Sequence, residues 1–264
     1  MLRFYVEVAR TAYRRQLVYR WANLAGMATN IFFGAVVSYV YVALFHARAS
    51  AAGYDLRDAL RYIWLVQAML MVVTPFGWFD LAQTIRTGEV AADLAKPCDF
   101  YGYWFSREAG RAVYYLIFRM VPIYLGGMLL FGIGAPGGWG LWLGYTASLA
   151  LAAGMGIAYR FLYNVLAFWM LEVRAAGTMA QTLALFFGGS YVPLAFFPAW
   201  LGGLAAWLPF SAMLNAPASM FTGRIAGDAL ALELARQVVW LVALTLAARA
   251  VAAVAARRVI VQGG

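Results

Sequence analysis

The chain has 264 residues, of which 65% are hydrophobic and 12% charged, with a net charge of +9 at neutral pH. Soluble domains average roughly 45–50% apolar and about 25% charged residues, so a soluble globular fold and a disordered chain are both excluded. The class that remains is a polytopic membrane protein.

Single residues exclude more. Cys98 is the one cysteine and His46 the one histidine, so neither an intrachain disulfide nor a His/Cys metal cluster can form. Lys96 is the one lysine and sits in Asp93-Leu94-Ala95-Lys96-Pro97, which cannot supply a phosphate-binding G-x-x-x-x-G-K-[ST] loop. The chain therefore has no P-loop and is expected to hold no cofactor of its own, and any ATP that drives it is bound by another polypeptide. The basic residues flank apolar stretches, which points to topology and anionic lipid headgroups rather than to nucleic acid.

In chain order, residues 1–22 come first. Arg3, Glu7, Arg10 and Arg14 recur at helical steps beside a stripe of Leu2, Val6, Ala9, Tyr13 and Leu17. The pattern predicts an amphipathic helix in the membrane interface; a basic stop at the mouth of the first span is the alternative. Apolar stretches near the ~20 residues a crossing needs predict spans at Leu24 to Phe45, Tyr62 to Phe79, Ala112 to Ile133, Trp139 onward, Thr178 to Val192 and Leu232 to Ala256. The predicted fold is all-α: a single domain over 1–264 with six transmembrane helices. The N-terminal segment, then Arg86, Lys96, Arg107 and Arg111, then Arg249, Arg257 and Arg258 fall on one side, which the positive-inside rule makes cytoplasmic. Both termini are then cytoplasmic.

The run from Trp139 to Leu171 is too long for one crossing of a ~30 Å core at ~1.5 Å per residue. Arg160 and Asn164 interrupt it, either where the helix leaves the membrane among headgroups or where it faces a polar cavity. Pro193, Pro198, Pro209 and Pro217 then divide the apolar segment 193–227 into pieces too short to span. This predicts re-entrant or interfacial helices, with Pro193, Phe196, Phe197, Pro198 and Pro209 as pathway or gate candidates. All acidic residues read as loop or span-end positions, which argues against ion-coupled carriers. No paired-acid, Ser/His/Asp or filter motif supports an enzyme or a channel.

The inner connection 80–111 holds the densest pattern. Gly88 and Glu89 predict a turn followed by a short helix, Val90 and Leu94 form a small apolar face four residues apart, and Pro97 ends it. Such a helix fits a peripheral partner or a solvated loop equally well. Here Ile85-Arg86-Thr87-Gly88-Glu89, followed by Leu94 and Lys96-Pro97, resembles the "tGeld-x-x-L-x-x-P" segment of an ABC-2 type permease subfamily. Val192-Pro193-Leu194-Ala195-Phe196-Phe197-Pro198, then Leu208-Pro209-Phe210, Pro217 and Gly223, and the tail Val261-Gln262-Gly263-Gly264 carry the same resemblance. The chain departs from that pattern at Ala92-Asp93, where an aromatic or basic residue is expected.

The resemblance implies the transmembrane subunit of an ABC exporter of the type V kind in a bacterial plasma membrane. Two permeases, identical or sister chains, would form the pathway among membrane lipids. Two ATP-binding subunits would dock on Arg86, Gly88, Glu89, Leu94, Lys96 and Pro97 and hold the ATP and magnesium. The implied cargo is a drug, antibiotic or lipid-like compound. An ATP-independent carrier or membrane assembly factor is the alternative.

Overall fold

A computed structural model describes residues 1–74, 77–135, 137–170 and 172–257. Among the described residues regular structure is helical. Helix α1 (Leu2–Val18) breaks at Tyr19 and is followed by α2 (Arg20–Ala47) and α3 (Leu56–Val73). Short α4 (Asp80–Thr87) and α5 (Val90–Leu94) come next. Helix α6 (Phe100–Tyr115) passes through a π-helical turn (Leu116–Met120) into α7 (Val121–Phe131). Helix α8 (Trp139–Val165), α9 (Val173–Phe187), α10 (Ala199–Trp207), α11 (Pro209–Met213), α12 (Asn215–Phe221) and α13 (Asp228–Ala256) complete the chain.

Four helical stretches among the described residues are long and apolar enough to cross a membrane: Arg20–Ala47, Phe100–Phe131, Trp139–Phe168 and Asp228–Ala256. Helix α3 is the centre of the bundle. Its Tyr62, Trp64, Leu65, Val66, Met69 and Val73 are all but inaccessible, while Arg57, Asp58 and Arg61 crowd its first two turns. Helix α9 has 15 residues, about 22 Å at ~1.5 Å per residue, short of a ~30 Å core.

Two glycines set the closest helix crossings. A Cβ on Gly156 of α8 would stand 2.0 Å from the carbonyl oxygen of Val73, and one on Gly110 of α6 would stand 1.9 Å from that of Ala9. Only a residue without a side chain lets backbones approach this closely. Gly110 thus seats α1 along α6. The seated face is Tyr5, Ala9, Ala12 and Gln16, with Ala12 and Gln16 buried. The predicted apolar stripe splits, because the small residues pack on protein while Leu2, Val6 and Leu17 stay exposed.

The structure corrects the sequence reading elsewhere. Residues 100–111 are not part of a connection: Asp99 caps α6, accepting from the Gly102 N–H at 2.7 Å, and the helix runs unbroken into the span. Glu108 is therefore a buried helical carboxylate, not a loop acid. Pro217 does not divide the 193–227 segment. It is the third residue of α12, a first-turn position where the missing N–H has no helical partner to lose. The tail 261–264 lies outside the described residues.

Candidate functional site

The first cluster of chemistry sits where α3, α4, α6 and α8 meet. Asp80 opens α4, and its Oδ2 accepts from Arg107 Nη2 at 3.2 Å and from Arg111 Nη2 at 3.0 Å. Arg111 Nη1 donates to Glu108 Oε1 at 2.9 Å. The other Glu108 oxygen lies 3.7 Å from Arg160 Nη2. Arg160 Nη1 donates to the carbonyl of Val73 at 2.7 Å, at the end of α3. One turn on, Asn164 Oδ1 accepts from the Ala82 N–H at 3.1 Å, and its Nδ2 donates to the Trp78 carbonyl at 3.1 Å. The Arg111 guanidinium also lies 3.1 Å from the centre of the Trp78 ring.

These contacts make one ion network, buried at Glu108, Arg111 and Arg160, that ties α4 to α6 and α8 and, through Arg160, to the end of α3. Arg111 is 3% and Arg160 5% exposed. Buried charges are tolerated only when paired, and Arg160 finds its partners in Glu108 and the Val73 carbonyl. The cavity beside it, lined by Trp78, Trp104, Glu108, Arg160 and Asn164, measures about 20 Å³. That is room for a single water molecule; around it Arg160 and Asn164 bridge α8 to the end of α3 and to α4.

Beyond α4 the chain turns at Gly88, whose φ of 79° is left-handed, a conformation glycine adopts freely. Arg86, Gly88, Glu89 and Pro97 are exposed; Leu94 and Lys96 are half-buried. Val90 is turned inward, 3% exposed, so it does not share an open apolar face with Leu94. Glu89 makes no capping hydrogen bond. Asp93, at the position where the chain departs from the subfamily pattern, pairs with Lys96 at 2.5 Å, and the Lys96 ammonium lies 3.9 Å from the Tyr103 ring centre. Burial works against the Lys96 charge, but Asp93 and Tyr103 outweigh it and raise its pKa. The α4–α5 tip is thus anchored behind and presents Arg86 to Glu89 in front.

The second cluster lies at the opposite end of α3. The Tyr62 hydroxyl is 3.1 Å from both the Gly189 carbonyl and Asn215 Oδ1. Phe196 packs edge-on to Tyr41, ring centres 6.0 Å apart, and 5.8 Å from Tyr54. Phe197 meets Phe186 at 5.2 Å. Pro193 and Pro209 are buried and Pro198 is exposed; Pro209 opens α11. Gln237 of α13, fully buried, donates through Nε2 to the carbonyls of Ala212 at 2.7 Å and Ser148 at 3.3 Å. Arg236 is paired with Glu233 and donates to Ser211 Oγ at 3.1 Å. Ser148 is about 13 Å along α8 at ~1.5 Å per residue, so α11 dips well into the bundle. Gln237→Leu should lower stability by about 1–3 kcal/mol, because the Ala212 carbonyl loses its buried donor. Thermal unfolding in detergent measures this.

The predicted coupling residues therefore cluster on one tip, whereas the predicted gate residues divide between two ends of the bundle. Sequence reading missed Glu108, Arg119, Arg236 and Gln237. For Arg119 the signal was present: an arginine inside a predicted span is a site by default.

An all-helical bundle with these long apolar helices defines a polytopic membrane protein. The model of the ABC-2 family transporter proteins matches residues 28–263. The chain belongs to that family, and is an ABC transporter permease whose family implies association with an ATP-binding subunit. Comparison with curated proteins and with solved structures gave no match.

Proposed function

We propose that this chain is the permease subunit of an ATP-driven exporter of hydrophobic or amphipathic compounds, working as a dimer with two ATP-binding subunits. The observation that carries the reading is the α4–α5 tip. It presents Arg86, Gly88 and Glu89 outward and is bound behind, through Asp80 and Asn164, to α6 and α8. A push on this tip bears directly on two of the long helices, α6 and α8. Six crossings follow if α3 and α9 complete the four long helices, with α10–α12 re-entering from the outer side. Exposed Trp21 at one end and Trp139, Trp200 and Trp207 at the other fit aromatic belts at two interfaces. An open groove of about 360 Å³ between α6 and α8, lined by Phe105, Ala112, Leu116, Leu149, Ala153 and Ile157, supports apolar cargo.

Two variants test the tip. Leu94→Asp should release the ATP-binding subunit, because burying a charge where a leucine side chain makes contact removes on the order of 2 kcal/mol of docking. Glu89→Ala should keep the subunit bound and lose transport per ATP hydrolysed. Co-purification and transport assays in vesicles read both. Wild-type transport with bound ATPase in both variants would refute the tip as the coupling element.

A further inference from the structure

We infer that Arg119, in a polar seam between α2 and the π-helical turn, binds the anionic headgroup of an amphiphile, a phosphate or carboxylate on an apolar tail. Arg119 is 6% exposed. Of the arginines buried among the described residues, Arg111 and Arg160 each meet Glu108. Arg119 takes part in no ion pair there. Its Nη2 donates to Asn30 Oδ1 at 3.3 Å, and its Nε is buried with no partner. A guanidinium does not shed its proton, and leaving one buried and unpaired costs several kcal/mol. An anion supplied from outside the chain removes that cost.

The local fold is built to place this charge. The inward stripe of α6 ends on Glu108, Arg111 and Tyr115, and that of α7 resumes on Ile123 and Gly127, one residue later than a regular helix would carry it. The π turn supplies the slip and lets Arg119 and Met120 both face inward. On the facing helix a Cβ at Gly26 would stand 2.8 Å from Arg119 Nη2, so the guanidinium lies against bare backbone. The rest of the seam is neutral: Asn23 Nδ2 donates to the Tyr114 hydroxyl at 3.1 Å, and the Tyr115 hydroxyl to Gln16 Oε1 at 3.4 Å. Ile117 and Phe118, beside Arg119, are 45% and 44% exposed, and offer an apolar flank to a tail. Asn30 is about 15 Å along α2 at ~1.5 Å per residue.

The headgroup comes from a resident membrane lipid or from cargo. The site itself does not depend on ATP coupling; only the cargo source rests on the exporter reading. Delipidated protein is offered phosphatidylglycerol or diacylglycerol, which has no anionic group, with matched chains, and retention is read by native mass spectrometry. Wild type should prefer phosphatidylglycerol by about tenfold, the size of one charge-assisted hydrogen bond, and Arg119→Gln should lose the preference. Gly26→Ala keeps the charge but displaces the guanidinium, and should lose most of it; this variant decides the matter if Arg119→Gln does not fold. Equal retention of the two lipids by wild type, or an undiminished preference in Arg119→Gln, overturns the site. In vesicles with the ATP-binding subunit, ATP-dependent leaflet exchange of labelled phosphatidylglycerol that Arg119→Gln abolishes identifies cargo. Retention without exchange identifies a resident lipid and leaves the site standing.

Discussion

Glu108→Ala should destabilise the protein by about 3–5 kcal/mol, enough to deplete folded chain from the membrane. The carboxylate stands between two buried guanidinium groups, 2.9 Å from Arg111 and 3.7 Å from Arg160. Removing it leaves both cations without their common partner, and Asp80 reaches only Arg111 and Arg107. The loss comes from charges left behind more than from a contact removed. Glu108→Ala combined with Arg160→Met should therefore cost less than the sum of the two single changes. Thermal unfolding of the detergent-extracted variants measures this, and strict additivity would show that the network is not a unit.

Gly156→Ala should have an effect of similar size by a different route. The added methyl would meet the Val73 carbonyl oxygen at 2.0 Å. Backbone cannot rotate aside as a side chain can, so α3 and α8 must separate. Overpacking of ordinary side chains costs roughly 1–3 kcal/mol, and a backbone collision lies at or beyond the upper end. The same movement would pull Val73 from Arg160, whose hydrogen bond there is 2.7 Å. Folded yield by size-exclusion chromatography should collapse. Gly140→Ala on the same helix, where a Cβ meets nothing within 4 Å, should leave it unchanged.

These two residues also show where sequence reading stops. Hydropathy alone reaches α2 and α13, because their apolar runs are long and stay exposed along most of their length. It misplaces the start of α6. Arg107, Glu108 and Arg111 read as loop charges, yet Asp80 and Arg160, distant in sequence, neutralise and bury them. It likewise leaves Arg160 between headgroups and cavity, since the Val73 carbonyl and Glu108 that settle its place belong to other helices. Gly110 and Gly156 carry no periodic signal; their meaning is the backbone opposite. The turn at Gly88 was legible because a left-handed φ is a local property. The inward turn of Val90 was not, because helix spacing alone does not say which side of a short helix meets the bundle.

On the proposed function, the exposed tip between α4 and α5 meets an ATP-hydrolysing subunit on the cytoplasmic side. Glu89→Cys in a Cys98→Ser chain, treated in intact membranes with a short bifunctional thiol-to-amine reagent, tests it most directly. A covalent adduct with the ATP-binding subunit is expected, with no labelling by an impermeant thiol reagent added from outside. Labelling of position 89 from outside, or a fully shielded thiol that forms no adduct with an ATPase, would contradict it.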